Sequence, residues 1–295
     1  SSDLENVVAE PDAYLLNEAD KWILSRVNRL AKDVTENMDK LELGIAVQKV
    51  YDFICDEFCD WYVETAKYRI YHKEEEKAAA DCVLWVLKTV LKQALKLLHP
   101  FMPFITEEIY SVLVPEEESL MMSEWPQFHA EWDFPAEENV MEHVKEITRG
   151  IRNMRAEMNV PNNRKTKVYV VCEDTEICDG ISTLENSIKP LMMAEKILVQ
   201  QTKENIADNA VSVVVPDAVV YLPLEDLVDF EQEMERLQKE EEKLKKEIKR
   251  AEGMLSNERF ISKAPEAKVQ EEREKLEKYT QMLQQVQERM AGLKK

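Results

Sequence analysis

Two heptad repeats in the segment 225–295 constrain the fold more than any other part of the sequence. Mostly apolar residues recur at alternating spacings of three and four, first from Leu227 to Leu255 and again from Val269 to Leu293. This spacing is typical of helices that pack as coiled coils. Residues 256–265 interrupt it. Each helix alone would expose an apolar stripe, so the two runs predict an antiparallel helical hairpin, an arm roughly 45 Å long.

The composition favours a helical chain of several domains. Only 5 glycines occur among 295 residues, and 33% of the residues are charged. The net charge of −20 argues against nonspecific binding to DNA or another polyanion. No apolar run is long enough to span a membrane, and the N-terminus lacks the order of a secretory signal. The five cysteines favour a reducing cytoplasm over a disulfide framework.

Periodicity predicts a mainly α fold with four segments along the chain. Residues 1–16 are a lead-in, 17–135 a helical bundle with an aromatic connector, 136–224 a small α/β domain, and 225–295 the arm. We expect bundle helices at 17–38, 43–72, 78–98 and from about 103 to 114. In the α/β domain we expect helices at 136–159 and 181–193, and strands at 167–172, 197–201, 211–215 and 219–222.

The sequence offers no catalytic or metal-binding constellation. The four histidines are not near a cysteine or carboxylate in any recognisable metal motif, and so few glycines leave no phosphate-binding loop. Cys55 and Cys59 flank an apolar stripe, so we interpret them as small hydrophobic residues. We therefore expect no cofactor and no metal in this chain, and we look for binding surfaces instead.

The first candidate surface lies on the first helix. A helical wheel places Trp22, Arg26, Arg29 and Lys32 away from the core stripe of that helix. An exposed aromatic ring between arginines suits a stacked base with phosphates nearby. The alternative is that Trp22 packs against a domain absent from this chain and that Asp33, in the same strip, pairs with an arginine.

The second candidate surface is a local basic segment. Residues 145–167 contain 7 basic and 2 acidic residues. Its candidates are Arg149, Arg152 and Arg155 on a helix and Asn162, Asn163, Arg164 and Lys165 in the following loop. Arginine and amide side chains can read bases in an open RNA loop. The alternative is an ordinary solvated helix face.

The third candidate surface is the outer face of the arm. Segment 225–295 holds 16 basic and 18 acidic residues, so any attraction for phosphate must come from local clusters of cations. The candidates are Lys243, Lys246, Lys249 and Arg250 on one helix, and Arg273, Lys275 and Lys278 on the other.

Five segments resemble the C-terminal region of bacterial valyl-tRNA synthetases: NEADKWILSRVNRL (17–30), YDFICDEFCDWYVETAKYR (51–69), LKLLHPFMPFITEEIY (95–110), IRNMRAEMNVPNNRK (151–165) and FISKAPEAKVQEEREKL (260–276). The third is shared with isoleucine and leucine enzymes. The last two, with the hairpin, favour valine. The resemblance implies that 17–114 form an anticodon-binding bundle and that the hairpin is a tRNA-binding arm that reaches the tRNA elbow.

The resemblance also implies a partner and a division of labour. We expect a monomer that binds tRNA(Val), with ATP and Mg²⁺ used only by the full-length enzyme. The catalytic signatures His-Ile-Gly-His and Lys-Met-Ser-Lys-Ser are absent, so this chain should activate no amino acid. The family often has a second proline where Asn162 stands, which makes that loop less rigid. A coiled-coil adaptor, or part of an isoleucine or leucine enzyme, remains the alternative.

Overall fold

The computed structural model describes residues 10–227, 230–257 and 266–293. Contacts divide the chain into two units, one ending at Leu224 and one beginning at Glu225. The predicted mainly α fold with a small sheet is confirmed. The finer division at residue 136 stays a prediction, and residues 1–9 of the predicted lead-in lie outside the described residues.

The helices of the first unit up to its sheet are α1 (Glu18–Asp39), α2 (Leu43–Asp52), α3 (Glu64–Tyr71), α4 (Lys77–Leu98), α5 (Pro103–Leu113) and α6 (Pro135–Glu157).

Helix α1 is the central element of the bundle. Its N-terminus is closed by a capping box in which Asn17 and Asp20 each accept a hydrogen bond from the other's backbone N–H, at 3.0 and 3.1 Å. Asp20 is fully buried and also accepts hydrogen bonds from Tyr62 and Arg69. The buried acid thereby joins α1 to the helices that follow it in the chain.

The predicted helix 43–72 is interrupted. Residues Phe53–Val63 between α2 and α3 form a π-helix, a turn widened by i to i+5 hydrogen bonds. The buried residues Phe53 and Phe58 are five positions apart, the spacing that places two side chains on one face of such a helix. A uniform period of 3.6 residues could not predict this segment.

The sheet contains four short strands, β1 (Thr166–Cys172), β2 (Ala194–Gln200), β3 (Val211–Val215) and β4 (Ala218–Leu222). Their order is β2-β1-β4-β3, with β1 parallel to β2 and both β1 and β3 antiparallel to β4. Helix α6 packs against β3 and lies so close that a Cβ added at Gly150 would be 2.6 Å from Val213 Cγ1.

One expectation for the α/β region was wrong. The single helix predicted at 181–193 is a pair, α7 (Thr175–Thr183) and α8 (Glu185–Met192). Asp174 caps α7 by accepting hydrogen bonds from the N–H groups of Glu176 and Ile177, so the first helix starts earlier than its apolar pattern indicated. In the same region, Cys172 and Cys178 form a disulfide, a pairing that the sequence pattern did not indicate.

The second unit is the predicted hairpin. A short helix, α9 (Leu224–Leu227), precedes the arm helices α10 (Phe230–Leu255) and α11 (Glu266–Leu293). Leu237, Leu244 and Val286 form the buried seam between the two arm helices. Across this seam, Gln287 Nε2 donates to Glu241 Oε1 at 2.9 Å. The predicted break begins with a turn at Ser256, and its residues 258–265 lie outside the described ranges. None of the described helices is both long and apolar enough to cross a membrane.

Candidate nucleic-acid interface

A groove of about 530 Å³ lies beside α1 where α1 meets α2 and the connector. Four cations and four carboxylates line it, so its lining carries no net charge. It brings together three of the four residues predicted for the first surface, and Trp22 is not among them. The lining residues are Arg26, Arg29, Leu30, Lys32, Asp33, Lys49, Asp52, Phe53, Glu57, Phe128 and Asp133.

The two arginines of this groove are held by carboxylates. Arg26 forms a two-pronged pair with Glu57, with Nε–Oε2 and Nη2–Oε1 distances of 2.8 and 2.7 Å. That hydrogen-bonded pair raises the pKa of Arg26 above its ordinary value. Arg29 pairs with Glu138 at 2.8 Å and with Asp133 at 2.6 Å. A phosphate would have to compete with these carboxylates, so the arginines are weaker candidates than the sequence indicated.

Lys32 is the cation of the groove best placed for a ligand. It is exposed and has no ion pair among the described residues, and its Nζ lies 5.9 Å from the centre of the Phe128 ring. Phe128 is held there by its neighbour His129, whose backbone N–H and C=O both bond the side chain of buried Asn28 at 2.7 Å. Phe128 is exposed at the rim of the groove, where a base could stack on its ring.

The predicted exposure of Trp22 was wrong. Its side chain is 1% exposed, and Lys145 Nζ of α6 lies 4.6 Å from the ring centre. The wheel assumed that α1 buries a single face, whereas α6 covers a second face. Asp33 also differs from expectation, because it pairs with Lys49 of α2 at 2.7 Å rather than with an arginine.

The arginines of α6 divide between solvent and core. Arg149 is exposed and pairs with Glu146 at 3.1 Å. Arg152 is exposed as well, with Nε donating to the carbonyl of Leu191 at 3.1 Å and Cζ 5.9 Å from the Trp61 ring centre. Arg152 thus presents a guanidinium at the surface in a fixed position.

Arg155 is a structural residue, which corrects its place among the predicted RNA contacts. Its side chain is 3% exposed, and Nη2 donates to the carbonyls of Pro161 and Arg164 at 3.0 and 2.6 Å. Burial lowers the pKa of its guanidinium. The residue fixes the loop that follows α6, in which Asn162, Asn163 and Lys165 are exposed.

The arm cations are mostly available to a ligand. Lys275 is held by Glu271 and Glu272 at 2.7 and 3.0 Å, and these hydrogen bonds raise its pKa. Arg250 is 3.9 Å from Glu247. The remaining candidates are exposed and have no ion pair within the described part of the arm: Lys243, Lys246, Lys249, Arg273 and Lys278.

Two family models match the chain one after the other. Residues 20–170 match the anticodon-binding domain of tRNA ligases, and residues 229–294 match the valyl tRNA synthetase tRNA binding arm. The chain belongs to the family of anticodon-binding domains of tRNA ligases. The first match covers the groove, α6 and the following loop, and the second covers the hairpin.

Valine–tRNA ligases of three clostridia are similar over nearly the whole chain. The Clostridium perfringens enzyme is 50% identical over 275 residues, which are 93% of this chain and 31% of the relative. Those of Clostridium acetobutylicum and Clostridium tetani are 46% and 48% identical over 94% of the chain. The resemblance predicted from the motifs is confirmed. The chain spans 31% of the length of these relatives.

Sequence reasoning missed two residues that shape these surfaces. Phe128 lies in the proline-rich connector, which is held beside α1 by contacts such as those of Asn28 with His129 and of Thr35 with Trp125. Lys145 was counted in the basic segment but is buried against Trp22. The aromatic content of the connector was the only available signal, and it did not indicate where the ring would lie.

Proposed function

We propose that this chain is the tRNA-binding part of a valine–tRNA ligase and that it binds tRNA(Val) through the bundle and the hairpin arm. The succession of an anticodon-binding match and a tRNA-binding-arm match along one chain carries this proposal. The helical bundle lies within the first match and the helical hairpin within the second, which supports the proposal. The alternative of a coiled-coil adaptor is less favoured, because the arm buries its own apolar seam.

We infer the RNA contacts from the cations that have no carboxylate partner among the described residues. Lys32 would bind phosphate beside an unpaired base stacked on Phe128. Arg152 with the loop residues Asn162 and Lys165 would form a second contact. Lys243, Lys246 and Lys249 of the arm would track phosphates along the RNA backbone. Trp22 and Arg155 support these surfaces from the interior.

Amino-acid activation belongs, in this proposal, to the two thirds of the relatives that this chain does not span. That part would use ATP and Mg²⁺, and among the described residues there is no cluster of side chains suited to a metal ion. The chain would act in the cytoplasm, where translation takes place. It would be a monomer, since the hairpin satisfies its own seam.

A binding assay with tRNA(Val) and tRNA(Ile) at two salt concentrations tests the proposal. We expect tighter binding of tRNA(Val), weakened by salt as phosphate contacts require. We also expect no valine-dependent pyrophosphate exchange above background. Failure to bind either tRNA at low salt would contradict the proposed function, and exchange activity would contradict the division of labour.

A further inference from the structure

Helix α5 carries apolar residues on two sides, and only one of these sides is covered. Thr106, Tyr110 and Leu113 are buried against α4 and the connector. On the other side, Phe104 is 90% exposed, and Ile105, Ile109 and Val112 are exposed as well. An apolar side of a helix normally packs against a partner. The uncovered side of α5 lacks one within the described part of the chain.

The exposed apolar surface continues beyond the helix. Met102 precedes α5, and Met121 and Met122 belong to a single helical turn that packs back against it; all three side chains are exposed. We call these residues together the α5 face: Met102, Phe104, Ile105, Ile109, Val112, Met121 and Met122. Isolated exposed apolar residues need no explanation, but seven exposed large apolar side chains within residues 102–122 mark an interaction surface.

The charges around the α5 face indicate the kind of partner. Glu108 is one helical turn from Phe104 and from Val112, so one carboxylate lies within the face. Glu118 and Glu124 flank Met121 and Met122 in the sequence. All three glutamates are exposed and have no ion pair among the described residues. These carboxylates would repel RNA phosphates. In a dimer formed through this face, the carboxylates of one copy would meet those of the other. A protein surface that carries both apolar and basic side chains would be complementary.

We propose that the α5 face docks against the part of a full-length valine–tRNA ligase that lies outside this chain. The relatives are about three times as long as the region they share with it, because that region is 31% of their length. Polypeptide of that size is covalently joined to the matching region in each relative and is available at high effective concentration. This inference rests on the proposed function, but it concerns a protein contact and not RNA binding.

A chimera tests the docking in a full-length protein. In the Clostridium perfringens ligase, the matching region is replaced by this chain, and the Phe104→Glu substitution is compared in the chimera and in the isolated chain. We expect no change in the thermal midpoint of the isolated chain, because the side chain is already in water. In the chimera the midpoint should fall, because the charge would be buried at the contact. Val214→Glu, at a site 78% exposed on β3, is the matched control and should leave both midpoints unchanged.

A binding measurement in trans keeps the test independent of how well the chimera folds. The Clostridium perfringens ligase lacking its matching region is titrated with this chain, and Phe104→Glu should raise the dissociation constant roughly thirtyfold, as removal of a central apolar anchor does.

The proposal is overturned if Phe104→Glu has no effect in either experiment. It is also overturned by a dimer of this chain that Phe104→Glu dissolves, which would identify a second copy as the occupant. A loss of tRNA affinity caused by Phe104→Glu in the isolated chain would assign the face to RNA and also overturn it. Failure of wild-type tRNA binding would instead contradict the proposed function alone.

Discussion

At the scale of single residues, the same α1 helix supplies both a core tryptophan and a surface lysine. Trp22 is enclosed by α6, whereas Lys32, ten positions later, lies at the groove beside Phe128. Because Trp22 is buried and Lys32 is exposed, we expect a structural role for Trp22 and a binding role for Lys32.

Substitution of these two residues should therefore give opposite results. Trp22→Ala should lower the free energy of unfolding by about 3–5 kcal/mol through the cavity it leaves, without changing the tRNA affinity of the folded fraction. Lys32→Ala should leave stability within about 0.5 kcal/mol of the wild type and weaken tRNA binding. Urea denaturation and tRNA titration of both variants measure this. Equal loss of affinity in the two would restore Trp22 as an RNA contact.

The buried thiol of Cys82 leads us to predict how the free energy of unfolding changes at alkaline pH. Burial first, and the neighbouring Asp20 carboxylate second, raise its pKa from 9.0 to about 12. The folded state then holds this proton more tightly than the unfolded state, so the thiol's contribution to stability is lost as pH rises from about 9 to about 12. Cys82→Ala should make the fall in unfolding free energy shallower across that window. An unchanged slope would show that Cys82 does not contribute to it.

At the scale of elements, the sequence predicted the helices and strands whose apolar pattern is local. The strand at 211–215 and the bounds of α1, α4 and α6 follow from apolar periodicity and capping residues, within two residues. The π-helical segment and the split between α7 and α8 were missed, because each departs from a uniform helical period. The groove was only half predicted: its α1 cations lie in one helix, whereas Phe128 arrives through a contact between positions about a hundred residues apart.

The contact between α6 and β3 depends on a glycine. Gly150→Ala would place a methyl group 2.6 Å from Val213 Cγ1. The resulting overpacking should cost about 1–3 kcal/mol, offset in part by about 1 kcal/mol of helix propensity. Tryptophan fluorescence during urea denaturation reports this unit, since all 5 tryptophans precede residue 133.

Two further variants identify the cause of the Gly150→Ala effect. Val213→Ala removes the obstructing side chain, so the double variant should lose less stability than the two single changes together. Gly253→Ala on α10 is the matched control, because nothing lies within 4 Å of its added Cβ. That control should stabilise the arm by about 0.5–1 kcal/mol, measured by circular dichroism. Additive effects at Gly150 and Val213 would contradict the close contact.

At the scale of the whole molecule, the net charge of −20 and the proposed binding of a polyanion must be reconciled. Carboxylates neutralise many of the cations locally: Glu57 and Glu138 hold Arg26, and Glu271 and Glu272 hold Lys275. What remains for RNA is a small set of lysines and arginines with no carboxylate partner in the described structure. Placement of charge, rather than its total, should therefore decide where RNA binds.

Two pairs of lysines on α10 test this directly. Lys243 and Lys246 are exposed and have no ion pair among the described residues. By contrast, Lys239 pairs with Glu235 and Lys245 pairs with Glu241, both at 2.7 Å. Changing either pair to glutamate alters the net charge equally, so long-range repulsion of RNA is matched. We expect the Lys243→Glu, Lys246→Glu variant to weaken tRNA binding more. The slope of log affinity against log salt should flatten by about 0.7–0.9 for each phosphate that the variant no longer neutralises.

Deletion of 226–295 extends the same comparison to the entire arm. Because the arm is a compact unit of its own, the first unit should stay folded, as its tryptophan fluorescence would report. The truncated chain should bind tRNA more weakly, and its salt slope should be shallower than that of the charge-reversed variant, since no arm cation remains to neutralise a phosphate. Equal affinity and an equal slope in the truncated and complete chains would remove the arm from RNA binding, and an adaptor role for the hairpin would then be favoured.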